Sequence, residues 1–113
     1  MELDLDRAAA QLDGDAQLVL ELLAAFLRRA PASFQDYQAA LAAGDREAVL
    51  RYLHRTVPTL ALLARADLAA EARMLYDTVI DAPGPLDPWL PRLHALSPRL
   101  AKLLEEAQAQ VPR

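Results

Sequence analysis

The chain contains no cysteine, and this absence excludes several kinds of chemistry at once. Without thiols there can be no disulfide framework, no thiolate nucleophile and no zinc site built from cysteine ligands. The sequence also lacks a glycine-rich phosphate loop, a G-x-S-x-G nucleophile motif and the signature motifs of protein kinases. Acidic residues, among them the neighbours Glu105 and Glu106, are interpreted as helix caps and a solvated face. We therefore expect that the chain by itself binds no nucleotide, metal or other cofactor.

Long apolar runs and clusters of basic residues are missing as well. No uninterrupted apolar segment approaches the ~20 residues that a membrane-spanning helix requires. The acidic amino terminus, MELDLD, lacks the basic and apolar regions of a signal peptide. A net charge of -4 and a pI near 5.0 disfavour binding to nucleic-acid phosphates, which takes clustered lysine and arginine. These features predict a cytoplasmic protein with no membrane or nucleic-acid partner, and they favour a basic or neutral protein as partner.

Glycine occurs only three times and β-branched residues are few, whereas alanine and leucine dominate the chain. This composition favours helices throughout and gives no strand signal. At 113 residues the chain is long enough for a single hydrophobic core, so we expect one domain over residues 1–113. The predicted fold is all-α, an up-and-down antiparallel four-helix bundle with a short extra N-terminal helix.

Capping residues, prolines and leucine spacing predict where the helices begin and end. We expect Asp15 to cap the second helix, Asp45 to cap the fourth, and Pro98 to kink the last one. The apolar residues that recur at helical spacing in the second helix are Leu18, Leu22, Ala25 and Phe26. The predicted helices run over residues 3–12, from 15 to a break or bend at Pro31, about 33–42, from 45 past residue 54, 67–81, and from Pro88 onward.

One of the two histidines, His54, lies within the helix that Asp45 begins. With 100° per residue, His54 lies about 80° from the centre of the apolar face of this helix, so we expect its ring at the edge of the core, reaching solvent. That apolar face comprises Leu50, Leu53, Val57, Leu60 and Ala64. The residues that project to the same outer side as the histidine are Arg51, Arg55, Pro58 and Leu62. Leu62 points away from the core on this phasing, which suits a residue that contacts a partner.

Five segments of the chain, taken in the order in which they occur, form a pattern that can be compared with known families. They are residues 3–8 (LDLDRA), 12–15 (LDGD), 22–27 (LLAAFL), 43–58 (AGDREAVLRYLHRTVP) and 63–68 (LARADL). In this order they resemble histidine-containing phosphotransfer (HPt) domains, in which a surface histidine carries a phosphoryl group between a sensor kinase's receiver domain and a response regulator. The resemblance implies that His54 is the phosphoacceptor and that the partners are response-regulator receiver domains or a hybrid sensor histidine kinase. It further implies that Mg²⁺ is bound by the partner receiver.

Two residues depart from the pattern of that family, which places lysine three residues and glycine four residues after the histidine. Here these positions hold Val57 and Pro58. Val57 cannot neutralise a phosphoryl oxygen, although Arg51 or Arg55 can partly replace the lost charge. Pro58 leaves the carbonyl of His54 without its helical donor, at a cost of roughly 3 kcal/mol, so we expect a bulge or kink at His54.

Three functions are compatible with these residues. The first is a phosphorelay intermediate that accepts and donates a phosphoryl group at His54, with the partner contacting Arg51, Arg55, Pro58 and Leu62. The second is a degenerate HPt module that binds a receiver or kinase domain, as a scaffold, inhibitor or dimerisation unit, without phosphotransfer. The third is an unrelated helical dimerisation domain, since leucine-rich helices can bury their apolar stripes within one bundle or between two copies in a homodimer. A buried His54 could not serve a receiver, so its exposure separates the first two from the third.

Overall fold

The computed structural model describes residues 1–111, which form six α-helices and one 3₁₀ turn, with a single isolated bridge as their only β-pairing. We number the helices α1 (Leu5–Gln11), α2 (Ala16–Leu27), α3 (Ala30–Ala43), α4 (Arg46–Leu63), α5 (Ala66–Asp81) and α6 (Leu90–Gln110), with the 3₁₀ turn at Asp87–Trp89. Over these residues no helix combines the length and the apolar character needed to cross a membrane. The all-α prediction is confirmed.

Helices α3 to α6 form a bundle in which each helix packs against two neighbours. Both α3 and α5 pack against α4 and α6. The connections between these helices are short, which makes successive helices antiparallel. Helix α1 packs on α2 and α4, and α2 packs on α3, α4 and α6, so the N-terminal helices cover one side of the bundle. The predicted all-α bundle is confirmed, and two N-terminal helices, α1 and α2, pack on its four-helix core.

Aspartates begin three of the helices as capping residues. Asp4, Asp15 and Asp45 each accept a hydrogen bond on a side-chain oxygen from the amide three residues later, at 3.0, 2.9 and 3.1 Å respectively. Such a cap satisfies one of the amides that the start of a helix leaves without a partner. Gly44 ends α3 in the left-handed conformation, with φ at 67°, which glycine adopts without strain. The expected caps at Asp15 and Asp45 are therefore present, and Asp45 fixes the start of the helix that carries His54.

Pro31 lies in a place that differs from the expectation, whereas Pro58 and Pro98 lie inside helices as expected. Helix α2 already ends at Leu27, and Pro31 instead lies in the first turn of α3, where its missing N–H costs nothing. Helices α4 and α6 continue through Pro58 and Pro98 without interruption, so neither proline ends its helix, and the kinks expected at His54 and in α6 stay predictions. Both prolines are exposed, and the carbonyl that each leaves without a donor belongs to an exposed residue. Water can therefore serve these carbonyls from the outer face of each helix.

The buried faces of α2 and α4 are rotated relative to the predicted faces. In α2 the core residues are Val19 and Leu23, while Leu18 and Leu22 each keep 37% of their surface exposed. In α4 the buried residues are Val49, Leu53, Thr56, Leu60 and Leu63, whereas Leu50 and Val57 are only half-buried. Both helices carry apolar side chains on more than one face, so spacing alone could not show which face the neighbouring helices cover.

Residues near the amino terminus are bound to α6 and to the junction between α4 and α5. Leu3 pairs with Ala64 in an isolated antiparallel bridge. The carboxylate of Glu106 accepts hydrogen bonds from the amides of Glu2 and Leu3, at 2.7 and 3.1 Å. The guanidinium of Arg99 donates to both carboxylate oxygens of Glu2, a residue that is only 8% exposed. The interpretation of Glu106 as part of a solvated face is therefore wrong, because its carboxylate serves backbone amides that no strand or helix would otherwise satisfy.

Candidate functional site

His54 lies in the middle of α4 on its outer face, and its side chain is exposed. The buried residues of α4 place the centre of its core-facing side about 140° from His54. The sequence pattern predicted a position at the edge of the core because it counted Leu50 and Val57, which are half-buried, as core residues. The imidazole is therefore more accessible to a partner than the sequence indicated.

The ring of Tyr76, from α5, lies beside the imidazole of His54. The two ring centroids are 5.6 Å apart, and the ring planes are inclined by 39°. The shallow depression that these two residues share is also lined by Glu47, Leu50 and Arg51. Helical periodicity in α5 does not single out Tyr76. The sequence nevertheless contains an indication of the contact, because His54 and Tyr76 each lie eleven positions from Arg65 at the α4–α5 junction. Residues equally far from the turn of an antiparallel helix pair lie at the same height.

Arg51 and Arg55 bring positive charge close to His54. Arg51 lines the depression that contains His54, and together with Arg55 it also lines a cleft between α3 and α4. Both side chains are exposed, and within residues 1–111 neither forms an ion pair. The two predicted sources of compensating charge therefore lie on one side of the histidine, with guanidinium groups that an anion can reach.

Two stacked tyrosines lie in the cleft between α3 and α4. The ring centroids of Tyr37 and Tyr52 are 4.4 Å apart, and the Tyr37 hydroxyl donates a hydrogen bond to the carbonyl of Leu93 at 3.3 Å. Burial raises the pKa of Tyr52 to about 12, and burial likewise raises the pKa of Tyr37. Both phenols therefore stay neutral at physiological pH. The charged groups of this cleft are the two arginines and Asp36.

Pro58 and Leu62 lie on the side of α4 that faces α2. Leu62 was expected to point away from the core, but it is half-buried because α2 covers this side of α4. Pro58 is exposed one helical turn after His54. The surface that we call the α2–α4 apolar surface comprises Leu22, Ala25, Phe26, Pro58, Thr59, Leu62 and Leu63. It adjoins the histidine on the side opposite to Tyr76.

The arrangement can act as a nucleophile without further catalytic groups. A neutral imidazole nitrogen attacks electrophiles near neutral pH and needs no separate base. Residues 1–111 contain no group of three or more histidine, aspartate and glutamate side chains placed to hold a metal ion.

The fold of this bundle is that of an HPt domain. The crystal structure of the HPt domain from the Hpt sensor hybrid histidine kinase of Shewanella is similar to the chain with a TM-score of 0.81, at 18% sequence identity, over 95% of this chain and 91% of that one. Scans against protein-family models and against curated proteins give no match. At this identity the likeness establishes the fold, and that fold agrees with the resemblance seen in the sequence.

Proposed function

We propose that the chain is a phosphocarrier of a two-component phosphorelay, which accepts a phosphoryl group at His54 from one receiver domain and donates it to another. The observation that carries this proposal is the exposed imidazole in the middle of α4, in a chain with the HPt fold. The resemblance in sequence assigns the phosphoacceptor to the same residue. The resemblance in sequence and the exposure of the imidazole thus support the same position for the reaction.

The proposed step needs an accessible imidazole and a receiver that carries an aspartyl phosphate. The lone pair of a neutral ring nitrogen of His54 attacks the phosphorus atom. A P–N bond forms while the P–O bond to the receiver aspartate breaks, and the electron pair of that bond stays on the aspartate carboxylate. The ring loses its positive charge when the proton on its other nitrogen leaves to water. Donation to a second receiver runs the same exchange in reverse.

Arg51 is the residue that we expect to bind the phosphoryl oxygens in place of the lysine that the family uses. It precedes His54 by one helical turn and lines the same depression. A guanidinium can donate two parallel hydrogen bonds to a phosphoryl group, which an uncharged valine at position 57 cannot do. The receiver's Mg²⁺ would supply the remaining positive charge.

The partners that we propose are response-regulator receiver domains and a hybrid sensor histidine kinase. The similar crystal structure is itself the HPt domain of a sensor hybrid histidine kinase. On this chain, the contact surface would combine Arg51 and Arg55 with the α2–α4 apolar surface, including Pro58 and Leu62. Leu18 lies one turn before Leu22 on α2, and its 37% exposure extends this apolar surface. Apolar contact area next to free arginines suits a protein partner with an acidic site.

A second function, binding without transfer, is favoured by Val57 and Pro58. Val57 is half-buried and offers no charge to a phosphoryl group. The exposed ring of Pro58 occupies surface where the glycine of the family leaves bare backbone. In this alternative the bundle docks a receiver or kinase domain, as a scaffold, inhibitor or dimerisation unit, while His54 stays unmodified.

Incubation with radiolabelled phospho-receiver domains and Mg²⁺ tests the two functions against each other. Transfer predicts an acid-labile, base-stable label on the wild-type chain and none on the His54→Gln variant. The matched control is His94→Gln, which alters the exposed histidine of α6 and should leave the label unchanged. Binding of a receiver without any label would replace the first function by the second. The absence of both binding and label across the receivers of the source organism would contradict both.

We further propose that the protein is cytoplasmic and that it forms a homodimer. The cysteine-free sequence gives no sign of an oxidising compartment. The exposed Leu18 and Leu22 of α2 are apolar residues that a second copy could bury. Cell fractionation and sedimentation equilibrium measure these two properties directly. A periplasmic fraction would contradict the first, and a monomer at micromolar concentration would contradict the second.

A further inference from the structure

Tyr76 takes no part in the bond changes proposed for His54, yet its ring lies beside the imidazole. We propose that Tyr76 is a positioning residue, whose ring holds the imidazole of His54 and closes the α5 side of the histidine. The phosphoryl group is then accepted on the side where Arg51 and the α2–α4 apolar surface lie. This inference rests on the proposed function of His54 as a phosphoacceptor.

The contact follows from the way α4 packs against α5. Tyr76 is half-buried, and its neighbours Leu75 and Val79 on the same helix are completely buried, which fixes the backbone that carries the ring. The ring centroids of Tyr76 and His54 lie 5.6 Å apart, within the range of offset and inclined aromatic pairs. The phenol ring is therefore anchored in the bundle while its outer part contacts an exposed histidine.

A fixed neighbour matters because an exposed imidazole otherwise samples several rotamers. A reaction that needs one particular rotamer must first fix the ring in it, which costs conformational entropy. A ring that a neighbour already holds in that rotamer avoids this cost. The half-buried Leu50 and Val57, which flank His54 toward α5, are aliphatic residues without a planar surface against which the imidazole could stack. Tyr76 is thus the aromatic group that restricts the ring on this side.

The same contact restricts the direction from which a partner can reach His54. On α4, Pro58, Leu62 and Arg51 all lie to the other side of the histidine from Leu50 and Val57. Tyr76 covers the α5 side, so the open approach is over α2 and α4. A phosphoryl group accepted there lies next to Arg51.

The test compares Tyr76→Leu, which removes the aromatic ring, with Tyr76→Phe, which keeps the ring and removes only the hydroxyl. Two quantities are measured: the chemical shifts of the His54 ring protons, and the rate at which phosphoramidate, a small phosphoryl donor, modifies His54. We expect Tyr76→Leu to abolish the ring-current shift of the His54 signals and to slow the reaction by about tenfold. Tyr76→Phe should retain both. Met74→Leu, a change on the same helix outside the depression, is the control.

Two results would overturn the inference. One is a Tyr76→Leu variant that keeps the wild-type rate. The other is a Tyr76→Phe variant that is as slow as Tyr76→Leu, because the effect would then belong to the hydroxyl and not to the ring. The small donor separates this inference from the relay function. If phosphoramidate modifies His54 but no receiver does so, the relay function fails while the comparison of the Tyr76 variants still stands.

Discussion

Pro58 follows His54 by one helical turn in α4, at the position whose amide would otherwise donate to the His54 carbonyl, and α4 runs through it without a break. Both residues are exposed, so water can reach the carbonyl that the proline leaves without a donor. The helix thus tolerates the proline on its outer face. Pro58 also places its rigid ring next to His54, the proposed phosphoacceptor.

Replacing Pro58 by alanine should stabilise the protein. Alanine restores the hydrogen bond to the His54 carbonyl and removes the steric conflict, and a proline inside a helix costs up to about 3 kcal/mol relative to alanine. We expect the free energy of unfolding in urea to rise by about 1–3 kcal/mol. Pro98→Ala in α6 is the matched control, since Pro98 is also exposed within a helix but lies away from His54. Both variants should gain stability, and a loss of stability in Pro58→Ala would show that α4 has adapted to its proline.

The pair of substitutions Val57→Lys and Pro58→Gly should raise the rate of phosphotransfer to His54. Val57 is half-buried, so the stem of a lysine can lie along the surface while its ammonium group reaches toward the phosphoryl oxygens. Glycine removes the ring beside the histidine. We expect a single-turnover rate from a phospho-receiver about tenfold above wild type. An unchanged rate would mean that these two residues do not limit transfer.

Arg51→Gln should slow the acceptance of the phosphoryl group by about tenfold, because it removes the charged donor that lies in the depression with His54. Arg28→Gln, which changes an exposed arginine at the end of α2, serves as the control for net charge. The measurement is the rate of labelling at saturating receiver concentration. Equal rates for Arg51→Gln and Arg28→Gln would show that Arg51 takes no part in the acceptance of the phosphoryl group.

Glu2→Gln should destabilise the bundle at neutral pH and leave its stability nearly unchanged in acid. The hydrogen bonds from Arg99 lower the pKa of the Glu2 carboxyl below its usual value of 4.5. A carboxyl whose pKa is lowered by folding stabilises the folded state above its unfolded pKa, and this contribution is lost as the pH falls through the folded value. We expect a cost of about 1–3 kcal/mol at pH 7 that shrinks below about pH 4.5. Urea unfolding of Glu2→Gln and of the exposed Glu105→Gln control across this range measures it. A cost independent of pH would show that the charge of Glu2 is not involved.

The helices themselves were predictable because their boundaries depend on neighbouring residues. Asp15 and Asp45 cap helices through amides three positions away, and Gly44 ends α3 through its own backbone conformation. Four of the five buried residues of α5, Leu68, Ala72, Leu75 and Val79, recur at helical spacing, because that helix carries one dominant apolar stripe. Local rules therefore predict the helical segments of this chain and the position of His54 in one of them.

The parts that could not be predicted depend on which helix lies next to which. Leu62 is half-buried only because α2 covers it, and Leu22 is partly exposed because α2 turns Val19 and Leu23 inward. The contact between His54 and Tyr76 joins two helices, and the network around Glu106 joins both ends of the chain. Such contacts carry no periodic signal, although the equal distance of His54 and Tyr76 from Arg65 at the α4–α5 junction could have indicated that pair.

The most direct test of His54 as a phosphocarrier is a rapid-quench time course of phosphoryl exchange with a cognate receiver in the presence of Mg²⁺, followed in both directions. The proposed function predicts that label leaves the phospho-receiver and appears on the wild-type chain at His54. It also predicts that the label returns to a receiver when unphosphorylated receiver is added in excess. The His54→Gln chain should bind the receiver and take up no label. Label on a residue other than His54, or no transfer in either direction despite binding, would contradict the account.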